Sequence, residues 1–216
     1  QRCSAFFANE GLIGSSSNEE GAASLVEVNC ETDFVARNDA FVIFVRTLAD
    51  RALTTDESIK DTVEAEVTQK VTELGENIVV RRNVRFERDG PGKVQSYIHQ
   101  GGKIGVLIEV GCAKEETTQS EDFQALARDL ALHVAATDPS ALTPEELPAE
   151  EVAEERNIFA KQVEDKPANV VDKIVEGKLR KYYAQVCLLQ QGFVKEPKQS
   201  ISDLLAEKGN ALGDEL

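Results

Sequence analysis

Apolar and polar positions in the first half of the chain follow two periods, one typical of strands and one typical of helices. The run SLVEVNC at 24–30 is largely apolar, and it follows the polar, glycine-containing turn SNEEG at 17–21. Together with the run before the turn, this pattern predicts a β-hairpin. Asn38 is then a candidate N-cap of a helix. The buried face of that helix would consist of Phe41, Phe44, Val45 and Leu48.

A second helix and a further strand are predicted downstream. Four apolar residues recur at every fourth position, namely Ile59, Val63, Val67 and Val71. Gly75 after Leu74 is a typical helix end. The stretch NIVVRRNVRFE at 77–87 then predicts a strand. The resulting order is β-β-α-α-β, which favours an α+β fold with helices covering one face of the sheet.

The same pattern recurs later in the chain. Without gaps, residues 24–30 fall on VLIEVGC at 106–112, and residues 40–49 fall on DFQALARDLA at 122–131. The residues that meet identical partners are Leu25, Glu27, Val28, Cys30, Phe41, Arg46, Leu48 and Ala49. Ser120 takes the place of the N-cap. The repeat predicts two tandem, related β-β-α-α-β lobes.

The second lobe is interrupted. Between residues 139 and 191, acidic residues and alanines accumulate, and two narrow apolar stripes flank a break at Pro167. The stripes predict a projecting antiparallel helical hairpin with these apolar residues: Val152, Phe159 and Val163, then Val171, Val175, Leu179, Tyr182 and Val186. A helical pattern resumes near residue 200, and its last residues, LGDEL, echo LGENI at 74–78.

These patterns divide the chain into consecutive segments. We expect residues 1–10 to be the remnant of a linker and residues 11–90 to form the first lobe. The second lobe would comprise residues 91–138 and 192–216, with the helical hairpin at 139–191 between them. A strand follows the corresponding point of the first lobe, so the closing strand of the second lobe is expected to be missing.

Charge and composition restrict the classes of function. The chain has 39 acidic and 24 basic residues and a formal net charge of -15, which repels phosphate backbones, so no direct nucleic-acid binding is expected. No apolar run approaches the roughly 18 residues of a membrane span, so no membrane partner is expected. The four cysteines have no CxxC spacing and only two histidines accompany them, so no metal site is predicted. The apolar helix stripes indicate core packing, so no cofactor is expected.

One loop differs between the two copies. In ETDFVARN at 31–38, Phe34 corresponds to Glu116 of the second copy, so the fold does not require an aromatic residue there. Phe34 could fold back as a lid on its own lobe, because exposing such a side chain costs about 1.5–3 kcal/mol. Alternatively, it could be an exposed anchor for a partner, flanked by Asp33 and Arg37. The anchor interpretation predicts that Phe34 is substantially exposed in the free protein.

Several motifs together resemble one family. The motifs are NCETDFVARNDAF at 29–41, LGENIVVRR at 74–82, SYIHQGGKIGVLIEV at 96–110 and DKIVEGKLRKYYAQVCLLQQGFV at 172–194. In sequence and order they resemble elongation factor Ts, the guanine-nucleotide exchange factor of translation elongation factor Tu. That family has two related α+β subdomains and a helical hairpin. Its usual N-terminal helical domain and its final strand and tail are not matched by this sequence.

The resemblance implies a mechanical exchange of nucleotide on elongation factor Tu, with no cofactor in this chain. Asp33 and Phe34 would enter the GTPase domain of the partner, with the Phe34 ring wedged between two helices near the magnesium and phosphate site. The expected partner-binding residues are Asp33, Phe34, Val35, Arg37, Leu74, Gly75 and His99. The resemblance also implies a bacterial cytoplasm, a mitochondrial matrix or a plastid stroma as the location. It leaves open a homodimer or a heterotetramer with the partner.

Two other functions compete with exchange. An enzyme would use Cys30 as its nucleophile and Asp33 as an orienting group, with His99 or His133 as the base. However, Cys30 is matched by Cys112, which favours a packing role, and no glycine-rich phosphate loop accompanies it. The chain is therefore not expected to be an enzyme. The remaining alternative is a truncated interaction module that binds elongation factor Tu or the ribosome without exchanging nucleotide.

Overall fold

The computed structural model of the chain describes residues 2–164 and 166–216. It combines helices with small antiparallel sheets, which confirms the α+β class. The chain forms two compact units. Residues 1–135 and 210–216 belong to one unit, and residues 136–209 belong to the other.

The first unit begins with strands and helices in alternation. In chain order they are β1 (Arg2–Phe7), β2 (Leu12–Ser17), β3 (Ala22–Asn29), α1 (Asp33–Ala36), α2 (Asp39–Ala52), a 3-10 turn (Lys60–Val63), α3 (Glu64–Leu74) and β4 (Val79–Glu87). The elements that follow are β5 (Gly92–His99), a 3-10 turn (Gln100–Gly102), β6 (Ile104–Gly111), a second such turn (Glu115–Gln119) and α4 (Glu121–Thr137). Ile59, predicted in the second helix, precedes the 3-10 turn, although its side chain is buried.

Strand β3 is the centre of the first sheet, whose order is β2-β3-β4 with antiparallel pairing. All of its residues except the last are buried, as expected of a strand that is covered on both faces. On one face, Val26 and Val28 pack with helix residues such as Phe41. On the other face, Leu25 packs with residues of a second sheet, including Leu107. The helices therefore cover one face, and the second sheet covers the other.

The second sheet has the order β1-β6-β5, again antiparallel. The prediction of a linker at residues 1–10 is wrong for residues 2–7, because β1 pairs with β6 along its whole length. Phe6 of β1 is buried in the cluster between the two sheets. Local periodicity reports which face of a strand is apolar, but it does not identify a pairing partner about a hundred residues away.

Strand β1 has the same relation to β6 that β4 has to β3. Arg82 lies opposite Glu27, and its Nε donates to the carboxylate at 2.7 Å. Arg2 lies opposite Glu109, and its Nε also donates to the carboxylate at 2.7 Å. Each guanidinium also lies over a ring of the other strand, at 4.6 Å for Arg2 and Phe86 and at 4.1 Å for Arg82 and Phe6. In the second sheet, β1 therefore occupies the position of the closing strand, which the sequence predicts to be missing.

The second unit is mainly helical. Its elements are a 3-10 turn (Pro144–Glu146), α5 (Ala149–Lys161), α6 (Ala168–Val186), a further 3-10 turn (Leu188–Gln190), β7 (Gly192–Phe193), β8 (Glu196–Ser200) and the start of α7 (Ile201–Leu212). Helices α5 and α6 pack through the predicted apolar stripes, with Val175 and Leu179 buried. Val163 was predicted within the first of these helices, but it lies beyond Lys161 and is buried there.

Candidate partner-binding site

Phe34 lies in α1, a helix of four residues between β3 and α2. Thr32 is the N-cap, and the Val35 amide donates to its Oγ1 at 3.4 Å. Phe34 is 83% exposed, which confirms the exposure predicted for an anchor and excludes a lid in this structure. Because Val35 and Ala36 face the core on this single turn, Phe34 is directed to solvent.

Val35 was predicted to contact a partner, but in this structure its side chain faces the core. Its side chain is only 8% exposed and belongs to the cluster that contains Phe41 and Val26. The buried cluster therefore seats α1 on the helix-covered face of the first sheet. Thr117, its counterpart in the second copy, is also buried, so this position has a packing role in both loops.

Asp33 and Arg37 flank Phe34 and form an ion pair of 3.0 Å one helical turn apart. The side chains are 50% and 82% exposed, respectively. Exposed pairs of this kind contribute only about 0–1 kcal/mol, so the pair does little to hold the turn together. Both charged groups are instead available for contacts at the rim of a bound partner.

Leu74 and Gly75 lie at the end of α3, close to the base of α1. Leu74 is half-buried and packs against the same cluster as Val35 and Ala36. Gly75 has a φ of 73° and is exposed, and its amide donates to the Val71 carbonyl at 2.9 Å. A side chain at this position would meet no atom within 4 Å, so only the left-handed backbone conformation favours glycine.

Glu76 joins the end of α3 to the segment that precedes α1. Its Oε2 accepts from the amides of Glu31 at 3.1 Å and Thr32 at 3.0 Å, and its Oε1 accepts from Thr32 Oγ1 at 2.5 Å. The fold thereby places residues 74–76 beside residues 31–36, although about 40 residues separate them in the sequence.

His99 ends strand β5 and is exposed. Its ring stacks on Tyr97 with centroids 5.7 Å apart, and its Nδ1 lies 2.9 Å from the Tyr97 hydroxyl. The turn that follows His99 lines one groove together with Asp33 and Arg37 of α1. The lining residues of this groove are Leu12, Asp33, Ala36, Arg37, Val42, Gln100, Gly101 and Lys103. His99 is therefore next to the groove in sequence, without being one of its lining residues.

The pairing register of the strands shows that Ser17 of the first hairpin does not correspond to His99 of the second. In the first sheet Ser17 lies opposite Ala23, whereas in the second sheet Ile98 lies opposite Gly105. Ungapped counting would match Ser17 with His99, but the pairing register matches it with Ile98. Between these matched pairs the second hairpin has one residue more, with residues 99–104 in place of residues 18–22, and a register of this kind is set by the turn.

Cys30 does not have the environment of a catalytic nucleophile. Burial raises the pKa of its thiol, with nearby Glu76 adding to the shift, so the thiolate is disfavoured at neutral pH. Its Sγ lies 3.2 Å from the Thr32 carbonyl oxygen, to which it donates. The Cys112 Sγ donates in the same way to the Lys114 carbonyl at 3.3 Å. The shared cysteine is thus a packing residue at the end of each central strand.

His133, which was the other base considered for an enzyme, is fully buried on α4.

No group of three or more His, Cys, Asp or Glu side chains is placed to hold a metal ion among residues 2–164 and 166–216. In the same part of the chain, no helix has the length and apolar character needed to cross a membrane.

Sequence reasoning missed Glu76 as a residue of this site. The relevant signal was the similarity of LGENI and LGDEL, which places Glu76 and Asp214 at matching positions after a glycine. Asp214 accepts hydrogen bonds from the amides of Ala113 and Lys114 at 3.2 and 3.0 Å. Both carboxylates therefore anchor the loop that follows a central strand.

Comparison with known proteins identifies the family of this chain. The family model described as "Elongation factor TS" matches residues 31–214. Elongation factor Ts of Trichlorobacter lovleyi is 36% identical over 222 residues, covering 95% of this chain and 71% of the relative. Elongation factor Ts of Protochlamydia amoebophila is 37% identical, covering 96% and 75%, and that of Clostridium botulinum (strain Alaska E43) is 39% identical, covering 95% and 71%. The chain belongs to the elongation factor Ts family.

Proposed function

We propose that this chain is a guanine-nucleotide exchange factor that binds elongation factor Tu with GDP and promotes GDP release during translation elongation. Membership in the elongation factor Ts family supports this role in general terms. The specific form of the proposal depends on the exposure of Phe34, because a large apolar side chain that is 83% exposed is a candidate anchor for a partner.

In this mechanism the Phe34 ring is a wedge. It enters the GTPase domain of elongation factor Tu between two helices near the magnesium and phosphate site. Displacement of those helices loosens the metal ion and the phosphates, so GDP leaves. Asp33 and Arg37 contact polar groups at the rim of this site, and Leu74, Gly75 and His99 extend the contact surface.

Burial of the ring supplies free energy for the displacement. Moving a phenylalanine side chain from water into an apolar pocket yields about 1.5–3 kcal/mol. This free energy is gained only in the complex whose helices have moved, so it favours the nucleotide-releasing state. By linkage, a protein that weakens nucleotide binding is itself bound more weakly when nucleotide is present, so entry of GTP releases the chain.

We further propose that each sheet with its helices is one of two tandem, related lobes, the second interrupted by α5 and α6. The matched ion pairs of Arg82 with Glu27 and of Arg2 with Glu109 support this arrangement. Only the first lobe has an aromatic residue on its strand-to-helix loop, since Glu116 replaces Phe34 in the second. The wedge is therefore specific to one lobe.

The test is the release of mant-GDP from elongation factor Tu with the parent chain, with Phe34→Ala and with Glu116→Ala. The parent chain should accelerate release. Loss of the ring contact should lower the maximal release rate by roughly 10- to 150-fold, the equivalent of about 1.5–3 kcal/mol. Glu116→Ala changes the matched position of the other loop and should release nucleotide like the parent.

The outcomes separate the wedge, the exchange function and the interaction module. If the parent chain binds elongation factor Tu at saturation without accelerating release, the chain is an interaction module and the exchange proposal fails. If Phe34→Ala binds and exchanges like the parent, the wedge fails while the exchange function stands. Binding is measured separately by titration of labelled elongation factor Tu, so that weak binding is not mistaken for slow exchange.

A further inference from the structure

We propose that Glu76 is a positioning residue for Phe34, which it fixes in the orientation used for exchange. The inference rests on the proposed wedge function of Phe34, and it concerns what holds the ring rather than what the ring contacts. The carboxylate of Glu76 makes the side-chain hydrogen bonds to the segment just before α1, at Glu31 and Thr32.

Helix α1 cannot hold its own orientation. It contains four residues, and a single helical turn in isolation is unstable because too few hydrogen bonds offset the lost backbone freedom. The Asp33–Arg37 pair is exposed and contributes little. The direction of the Phe34 ring therefore depends on the anchoring of the two ends of α1 and on the burial of Val35 and Ala36 beneath it.

The downstream end of α1 is anchored by Asn38. The Asn38 amide donates to the Val35 carbonyl at 2.9 Å, and the Asn38 Oδ1 accepts from the Ala40 amide at 2.8 Å. These contacts join α1 to the much longer α2, which packs on the first sheet. This end is held by neighbours in sequence.

The upstream end is held by Glu76 from the other side of the loop. Oε2 accepts from two consecutive amides, those of Glu31 and Thr32, and Oε1 accepts from the Thr32 hydroxyl. Because that hydroxyl donates its only proton to Glu76, its lone pairs remain available to the Val35 amide, at 3.4 Å. A chain of contacts thus runs from Glu76 through Thr32 to the residue after Phe34.

The second copy supplies a natural control. Asp214 accepts from the amides of Ala113 and Lys114 and from the Thr117 hydroxyl, at 3.2, 3.0 and 2.5 Å. Like Glu76, it follows a left-handed glycine, with a φ of 65° at Gly213 and 73° at Gly75. The loop that Asp214 holds exposes Glu116 in place of Phe34. The anchor is therefore common to both loops, whereas positioning of an aromatic ring is specific to Glu76.

Orientation of the ring affects exchange through preorganisation. A ring that is already held in its bound direction loses less conformational entropy when it enters the partner than a ring on a mobile turn. Loss of the Glu76 contacts should therefore lower the maximal release rate. The concentration at half-saturation should change less, because it depends on the whole contact surface. It should also increase the motion of residue 34 in the free chain.

Both effects are measurable, because the chain contains no tryptophan and Phe34→Trp places a single reporter at the exposed position. Time-resolved fluorescence anisotropy is recorded for Phe34→Trp and for double variants. Each double variant combines Phe34→Trp with Glu76→Ala, Glu76→Gln, Thr32→Val or Asp214→Ala. Glu76→Ala and Thr32→Val should increase the amplitude of fast motion. Asp214→Ala should leave it unchanged, and Glu76→Gln should restore most of the restriction, since its amide oxygen can accept from both backbone amides.

The same substitutions in the Phe34 background are assayed for mant-GDP release and for urea unfolding. Glu76→Ala should lower the maximal rate by about tenfold and lower the urea midpoint no more than Asp214→Ala does, while Asp214→Ala releases nucleotide like the parent. Equal anisotropy decay in the Glu76→Ala and parent backgrounds would overturn the positioning role. So would equal release rates for Glu76→Ala and Asp214→Ala.

Failure of the proposed function would be recognised separately. A parent chain that does not accelerate release removes the exchange function, whereas the anisotropy of residue 34 still decides whether Glu76 orients it. If Glu76→Ala does not fold, Thr32→Val removes both Oγ1 contacts, to Glu76 and from the Val35 amide, keeps the two backbone amides on Glu76, and tests the same chain of contacts. Unchanged motion of residue 34 in folded Thr32→Val would also contradict the proposal.

Discussion

Asp214 accepts four hydrogen bonds. Its donors are the Thr117 hydroxyl and the amides of Ala113, Lys114 and Glu215. The Thr117 hydroxyl and these amides lower the pKa of Asp214, because hydrogen bonds to a carboxylate favour its ionised form. A residue near the end of the chain is thus tied to a loop about a hundred residues earlier.

Asp214 should make the stability of the protein depend on pH. Its pKa is lower in the folded than in the unfolded chain, so its contribution is complete above the unfolded value of about 3.9 and is lost as pH falls through the folded value. Asp214→Asn should therefore be less stable than the parent at neutral pH, with a difference that shrinks below about pH 4. Urea unfolding of both chains at several pH values measures this difference. A difference that stays constant down to the folded pKa would contradict the prediction.

At the scale of elements, β1 is the main departure from the predicted organisation. A segment interpreted as a linker is an edge strand whose side chains enter the cluster between the sheets. Phe6 is 5% exposed, and the charged group of Arg82 covers its ring at 4.1 Å. A true linker would tolerate almost any substitution, so the two interpretations differ in their consequences for stability.

Phe6→Ala should destabilise the folded chain by about 3–5 kcal/mol, because a buried aromatic side chain is replaced by a cavity. Phe34→Ala is the matched control, since it removes the same ring from an exposed position. Its effect should stay within about 0.5 kcal/mol. Urea denaturation followed by circular dichroism compares the two. An equally small loss for both variants would mean that β1 does not form part of the folded sheet.

At the scale of the whole molecule, the charge is strongly unbalanced. There are 39 acidic residues against 24 basic ones, and the net charge of -15 opposes compaction. Several ion pairs that do form, such as Arg37 with Asp33 and Arg156 with Glu176, are exposed on both sides and are individually weak.

Salt should therefore stabilise the folded chain. Raising NaCl from about 0.02 to about 0.5 M shortens the screening length to a few ångströms and weakens repulsion among carboxylates more than it weakens exposed ion pairs. The urea midpoint should rise over this range. The same titration at about pH 4.5, where part of the carboxylates are protonated, should show a smaller rise. A midpoint that falls with salt at neutral pH would mean that the ion pairs outweigh the net repulsion.

Features that depend on a repeated pattern in the sequence could be predicted, whereas contacts between residues far apart in the chain could not. The helix faces of α2 and α4 were predictable because apolar residues recur at helical spacing, and the exposure of Phe34 was predictable because Glu116 occupies the matched position. The burial of Val35 was not predicted, because a single turn has too few residues to reveal which side faces the core. The Glu76 anchor was missed because it connects residues distant in sequence.

The sequence by itself determined the α+β class, the repeat and the presence of an aromatic residue on only one of two matched loops. Each of these depends on local periodicity or on comparison of one part of the chain with another. The tertiary structure alone decided that β1 completes the second sheet, that the second sheet covers the free face of β3, and that Glu76 holds the loop of Phe34. These features depend on contacts between residues far apart in the chain, which are selected by shape, hydrogen bonding and burial in the folded state.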